Sequence, residues 1–98
     1  MSVMQVQDRA HEFRIVIHGG LTGDSVRKVA DTWASALGES QRRMVVDITD
    51  VSDCDGAGRE LLRDMHVHGT HLAAKTPESL ALLAEATRRR TADAVAGR

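Results

Sequence analysis

Apolar residues follow different rhythms in different parts of this chain, and the rhythm predicts the elements. Phe13-Arg14-Ile15-Val16-Ile17-His18 begins by alternating apolar with polar and is β-branched through its middle, the pattern of a strand buried on at least one face. Gly19-Gly20 is its expected end. From there Val26, Val29, Ala30, Trp33 and Leu37 repeat at three-four spacing, predicting an amphipathic helix with Thr22 or Asp24 as cap and Gly38 at its close. Met44 to Ile48 is more continuously apolar, as in a strand whose two faces are both largely covered. A second helix is expected from about Ala57 to His68, with Gly58, Leu61, Leu62 and Met65 facing inward, Arg59, Arg63 and His66 outward, and Gly69 at its stop. Thr70 to Ala74 reads as a short strand. Thr76-Pro77 opens a last helix with proline at its first position, and Leu80, Leu83, Ala84 and Thr87 make its expected buried stripe. Val3, Met4 and Val6 suggest an edge strand at the start.

The resulting order, strand, strand, helix, strand, helix, strand, helix, is a mixed α/β layout. Its two strand-helix-strand crossovers should be right-handed. The second main strand, the turn after it and the start of the second helix make up Met44-Val45-Val46-Asp47-Ile48-Thr49-Asp50-Val51-Ser52-Asp53-Cys54-Asp55-Gly56-Ala57-Gly58-Arg59-Glu60-Leu61-Leu62, read as an apolar strand, an acidic turn and a helix start. This stretch resembles the STAS domain, the module of sulfate transporters and anti-sigma factor antagonists. In that family a strand ending in Asp leads through a short Val-containing loop to Asp-Ser-Ser-Gly or a variant, followed by a Leu-rich helix. Asp47, Val51, Asp55, Gly56, Ala57 and Gly58 stand at the matching positions, and the resemblance extends from Phe13 to about Ala86. It implies a small mixed sheet of four to five strands with helices mainly on one face. Ala57 occupies the place of the serine or threonine that a partner kinase phosphorylates in regulated antagonists, so Ala57 is a degenerate phosphosite; Ser52 and Thr49 lie earlier in the loop.

Composition narrows the function classes. With 98 residues, 42% hydrophobic and 28% charged, the chain supports one small core and is read as a single domain, 1-98. A net charge of −1 gives no electrostatic reason to expect nucleic acid or an anionic membrane as partner. Arg88-Arg89-Arg90 is the single basic cluster, and on a terminal helix it reads as a solvated run favoured by the helix dipole. One cysteine, Cys54, permits no internal disulfide. Neither a signal-peptide pattern nor an apolar run of about 18 residues occurs, so a soluble cytoplasmic protein without membrane insertion is expected.

Chemistry would have to come from three clusters. Asp47, Asp50, Asp53 and Asp55 are oxygen ligands in principle. Aligning Asp53, Asp55 and Gly56 with a calcium loop, however, places Val51 and Leu62 at the first and last ligand positions, where neither coordinates a metal. Asp47 ending a strand, Asp50 in a turn and Asp55 accepting N–H groups at a helix start is the simpler reading. His66 and His68, two positions apart, point about 200° away from each other on a helix; His71, His11 and His18 complete no zinc pattern. Cys54 aligns with a core-facing apolar position among carboxylates that raise a thiol pKa. Ser52 lacks an evident base, and there is no phosphate-binding Gly-Lys-Ser/Thr loop.

What remains is a binding surface, with no enzyme activity, metal or cofactor expected. The resemblance implies that the loop before helix two and that helix's outer face dock on a partner. Here that means Asp53, Asp55, Gly56, Ala57, Gly58, Arg59 and Arg63. The implied function is a non-catalytic interaction module, an anti-sigma factor antagonist or antagonist-like regulator that binds a serine-kinase anti-sigma factor or another cytoplasmic regulatory protein. An alternative is the small STAS subunit that clamps the cytoplasmic ATPase of a lipid-transport ABC system. A monomer or weak homodimer is expected. Small residues at 56–58 either let a partner's backbone approach or only permit tight helix–sheet packing. Phe13 and Trp33 are the only aromatic residues, which offers no aromatic anchor for a tight interface.

Overall fold

The computed structural model describes residues 3–39 and 43–87; Arg88-Arg89-Arg90 lies outside them. The elements run β1 (Val3–Asp8), β2 (Glu12–Leu21), α1 (Asp24–Glu39), β3 (Arg43–Cys54), α2 (Gly56–Val67), β4 (His71–Ala73) and α3 (Pro77–Thr87). The strands form one four-stranded sheet in the order β1-β2-β3-β4. β1 and β2 are an antiparallel pair, while β2–β3 and β3–β4 are parallel and are bridged by α1 and α2. This is the mixed α/β layout the residue pattern predicts, with the first strand present as an edge.

Alternation along the strands decides which face is the core. Phe13, Ile15 and Ile17 of β2 and Met44, Val46 and Ile48 of β3 join Val29, Trp33 and Ala36 of α1 and Leu61, Leu62 and Met65 of α2 in one apolar cluster, with Ala86 of α3 at its margin. The helices therefore sit on one face. The other carries Arg14, whose guanidinium lies 3.0 Å from Glu12 and 3.6 Å from Asp47, and His18, 3.1 Å from Asp50. Buried Val45 belongs to this second face and not to the cluster. Trp33 donates its indole N–H to the Thr70 hydroxyl at 2.9 Å, which satisfies two buried polar groups at once.

Two strands are longer than the sequence pattern predicts. Gly19-Gly20 does not end β2, which continues to Leu21, and β3 runs on through the expected acidic turn to Cys54. Asp47 thus lies mid-strand, and Asp50 is in the ladder opposite His18. Both departures have one cause. From Val16 to His18 is two steps along β2 but three along β3, from Asp47 to Asp50; from Gly19 to Gly20 is one step against two, Val51 to Asp53. Each slip inserts an extra β3 residue, a bulge. Gly19 takes the positive φ of 87° that accompanies the first bend. The buried positions consequently change from 44, 46, 48 to 51 and 54, a spacing that no longer resembles a strand.

The remaining corrections are smaller. The Thr70–Ala74 strand shortens to His71–Ala73. Helix α1 passes through Gly38, and its entry is made by main-chain bonds from Ser25 N–H to Thr22 O and from Val26 N–H to Gly23 O. On α3 the stripe is rotated: Leu80 and Ala84 are exposed, and Ser79, Leu82, Leu83 and Ala86 face the core. Its cap explains this. Thr76 Oγ1 accepts from Ser79 N–H while Ser79 Oγ accepts from Thr76 N–H, a reciprocal box that turns Ser79 inward. α3 then packs beside the half of β3 beyond its three-residue pairing with β4.

Candidate functional site

The slipped ends of β2 and β3 bring the starts of α1 and α2 together, and Asp55 stands between them. Its carboxylate accepts from Gly58 N–H at 2.8 Å, capping α2, and from Gly23 N–H at 3.1 Å, at the entry to α1. These two N–H groups, Gly58 first and Gly23 next, hold the Asp55 carboxyl below the usual carboxylate range. The cap expected from the sequence is therefore present, and the second bond was not foreseeable because Gly23 lies 32 residues away. The consequence is chemical: donors that could have cradled an external anion are occupied by a carboxylate of the chain itself.

Beneath this carboxylate the packing is close. Asp55 N–H reaches the Leu21 carbonyl at 3.4 Å, and a Cβ on Gly58 would fall on that same oxygen and within 2.7 Å of Cys54 Sγ. Glycine at 58 is thus required by helix–sheet packing, and it lies buried under the surface to which the sequence assigned it. Gly56 has open space around its Cα, and Ala57 is exposed. The small-residue run divides: its last member meets the sheet and its first two face solvent.

Arg59, on the outer side of α2, engages Glu85 of α3 through its Nε, and that carboxylate raises the guanidinium pKa further. Between the end of β3 and α3 lies a shallow groove of about 290 Å³ whose walls include Ser52, Asp53, Arg59 and Glu85. Asp53 and Ser52 are exposed, and the Asp53 carboxylate accepts from Cys54 N–H at 3.0 Å. Arg63 is half-buried one turn further along α2, beside His66 and Thr87. Asp53, Asp55, Gly56, Ala57 and Arg59 therefore share one end of the molecule, Arg63 flanks it, and Gly58 underlies it. Glu85, a partner of this surface, carries no signal in the sequence because its pairing depends on how α3 crosses α2.

Reactive chemistry finds little footing here. Burial pushes the Cys54 thiol up to about 11; Arg59 opposes this, while Asp55, Asp53 and Glu85 add to it. Asp47 lies on the open face of the sheet, away from Asp55. Burial raises its carboxyl, but hydrogen bonding from Thr49, whose N–H donates at 2.9 Å, outweighs that together with Arg14 and Lys75 and holds it low. Among the described residues no three His, Cys, Asp or Glu side chains converge as a metal site. His66 and His68 diverge, with His68 set edge-on to Trp33. No helix among those residues is long and apolar enough to cross a membrane.

A mixed sheet backed on one face by three helices, with an aspartate-capped α2 following the central parallel strand, is the STAS fold. The solved structure of the anti-sigma factor antagonist SpoIIAA in its unphosphorylated form superposes with a TM-score of 0.64 at 15% identity, covering 98% of each chain. A longer protein described as Mglu matches with a TM-score of 0.58 at 19% identity over 76% of this chain, which spans 19% of that one. The sequence itself matches no protein-family model and no curated protein.

Proposed function

We propose that this chain is a non-catalytic, cytoplasmic, single-domain interaction module, an anti-sigma factor antagonist or antagonist-like regulator. In this reading it docks on a serine-kinase anti-sigma factor through the exposed start of α2. The observation that carries the reading is the correspondence with SpoIIAA over nearly the full length of both chains, combined with a solvent-facing Gly56-Ala57 at the head of α2. Asp53, Asp55, Arg59 and Arg63 supply the charged surround of that contact, and Gly56 and Ala57 let a partner's main chain come close. With methyl-bearing Ala57 where a phosphorylatable hydroxyl would stand, the contact is not switched off by phosphate, and binding is constitutive.

The test is binding of a purified serine-kinase anti-sigma factor from the source genome to the wild type and to Ala57→Glu. A glutamate in the first turn of α2 suits the positive end of the helix dipole, so the variant should fold normally. Binding by the wild type and its loss with Ala57→Glu is the expected result. Equal binding by both proteins would move the interface elsewhere. Retention of a transport ATPase in place of the kinase would transfer the chain to the lipid-transport class. Ala57→Ser, incubated with the kinase and ATP, should acquire phosphate; docking without transfer would show that the loop no longer presents position 57 to a kinase.

A further inference from the structure

Strand β1 is the least protected part of the sheet. Edge strands are ordinarily guarded by lysine, proline, an inward charge or a bulge, because their free N–H and C=O groups otherwise template pairing with another chain. Asp8, at the strand's last position, is its one charge; residues 3–7, Val-Met-Gln-Val-Gln, contain none of these guards, and β1 pairs with β2 in an unbroken register from Val3↔His18 to Asp8↔Phe13. Among the described residues its outer side meets no other strand. Of the four large hydrophobic residues exposed among the described ones, two are here, Val3 at 52% and Val6 at 44%. On the helix side, α1 leaves a groove of about 450 Å³ whose floor includes Met4, Ile17 and Val29.

We propose that β1 is the contact strand of a homodimer, pairing antiparallel with β1 of a second copy about a twofold axis at Gln5. The strand's own sequence favours a second copy over a foreign strand. In an antiparallel pair, opposed residues share a face, so an axis at Gln5 sets Met4 beside the second copy's Val6 on the helix side and Val3 beside its Gln7 on the other. Each exposed valine gains a neighbour, and Gln5 meets Gln5. Asp8, the only charge on β1, stands at opposite ends of the joint ladder in the two copies, about 20 Å apart at 3.4 Å per residue. A net charge of −1 adds little repulsion between copies. The two four-stranded sheets become one continuous sheet, and the α2 surface proposed to bind a regulator lies on the far side of each subunit. A single strand pair is a small contact, so the dimer is weak and dissociates on dilution.

Sedimentation equilibrium of the full chain, with Val6→Lys and Leu80→Lys, decides the matter. Leu80 is as exposed as Val6 but lies on α3, and serves as control. The expected result is a wild-type dimer with a micromolar to millimolar Kd, weakened at least about tenfold by Val6→Lys and unaffected by Leu80→Lys. A second readout does not depend on how the lysine variant folds. Gln5→Cys should cross-link to itself with a short bifunctional maleimide, whereas Val67→Cys on exposed α2 should not; Cys54 is buried and stays silent. A wild type that remains monomeric at about 1 mM overturns the proposal and leaves the edge to a strand of another protein. So does a dimer sensitive to Leu80→Lys but not to Val6→Lys, or one that cross-links through position 67 and not through position 5.

Discussion

The first halves of β2 and β3 pair without interruption from Glu12↔Arg43 to Val16↔Asp47, whereas their second halves slip twice before reaching Leu21↔Cys54. In the first half the side chains alternate between an apolar core and an ion-paired outer face, Arg14 with Glu12 and Asp47. In the second half two glycines, an added β3 residue at each slip and three carboxylates at 50, 53 and 55 replace that order. The same two strands thus serve as scaffold at one end and, in the proposed reading, present the contact surface at the other. The bulges redirect the chain so that Asp55 arrives between the starts of two helices, and regular pairing would not have brought it there.

The comparison implies that damage to the regular half should be global and damage to the slipped half local. Ile15 is fully buried in the regular half, and Ile15→Ala should cost about 4 kcal/mol by removing buried methyl groups and leaving a cavity. For so small a domain that is a large share of its stability, and urea denaturation should show the midpoint collapsing with every probe moving together. Gly58→Ala should cost less, about 2 kcal/mol, because its methyl must displace the Leu21 carbonyl and the Cys54 thiol at the slipped end. Amide exchange should then quicken first at Gly23 and Asp55. Gly56→Ala, two residues away in open space, is the internal control and should be neutral or stabilising by up to about 1 kcal/mol.

The legibility of the sequence follows the same divide. Alternation at 13–17, the apolar run at 44–48 and the helical spacing of Val29, Trp33, Leu61, Leu62 and Met65 report burial directly, and the elements they predict are present. Past Asp47 the buried residues are 48, 51 and 54. That spacing is produced by bulges, which exist only through pairing with a strand some 30 residues earlier, so a window on one strand reads a turn. Likewise the Asp55 cap was visible, since an N-cap is a local arrangement. Its bond to Gly23, the Arg59–Glu85 pair and the burial of Gly58 were not, because each is set by how separate elements pack. On α3 the inward rotation was hidden by Ser79, a polar residue whose burial depends on its bond to Thr76.

Each half also holds one carboxylate below its ordinary range, by different means, which gives a subtler separation. Asp47 owes part of its depression to the charges of Arg14 and Lys75, while Asp55 is held chiefly by the Gly58 and Gly23 N–H groups. A folded-state pKa below the unfolded value of about 3.9 contributes stability above that pH, and the contribution disappears as pH falls through the folded pKa. Both groups should therefore weaken the fold below about pH 4 and not above it. Salt distinguishes them, since it screens charges far more than short hydrogen bonds. Titration of the side-chain carboxyls by NMR should show Asp47 moving upward in high salt and Asp55 scarcely moving. In Asp55→Asn the acid-side loss of stability should shrink.

The smallest expected effect concerns the pair that joins the presenting end to α3. Arg59 and Glu85 are both about half exposed, at 45% and 55%, and an ion pair in water gains little because solvation and side-chain freedom offset the attraction. Arg59→Ala should leave the denaturation midpoint where it was. Its consequence should appear in binding, because Arg59 stands beside Asp53 in the groove at the end of β3, and a partner that meets the start of α2 meets this guanidinium too. An unchanged midpoint with weakened partner binding places Arg59 in the contact surface. A lowered midpoint with binding intact would make the pair a clamp between α2 and α3 and remove Arg59 from that surface, leaving the exposed Gly56-Ala57 head of α2 and its flanking carboxylates as the proposed contact.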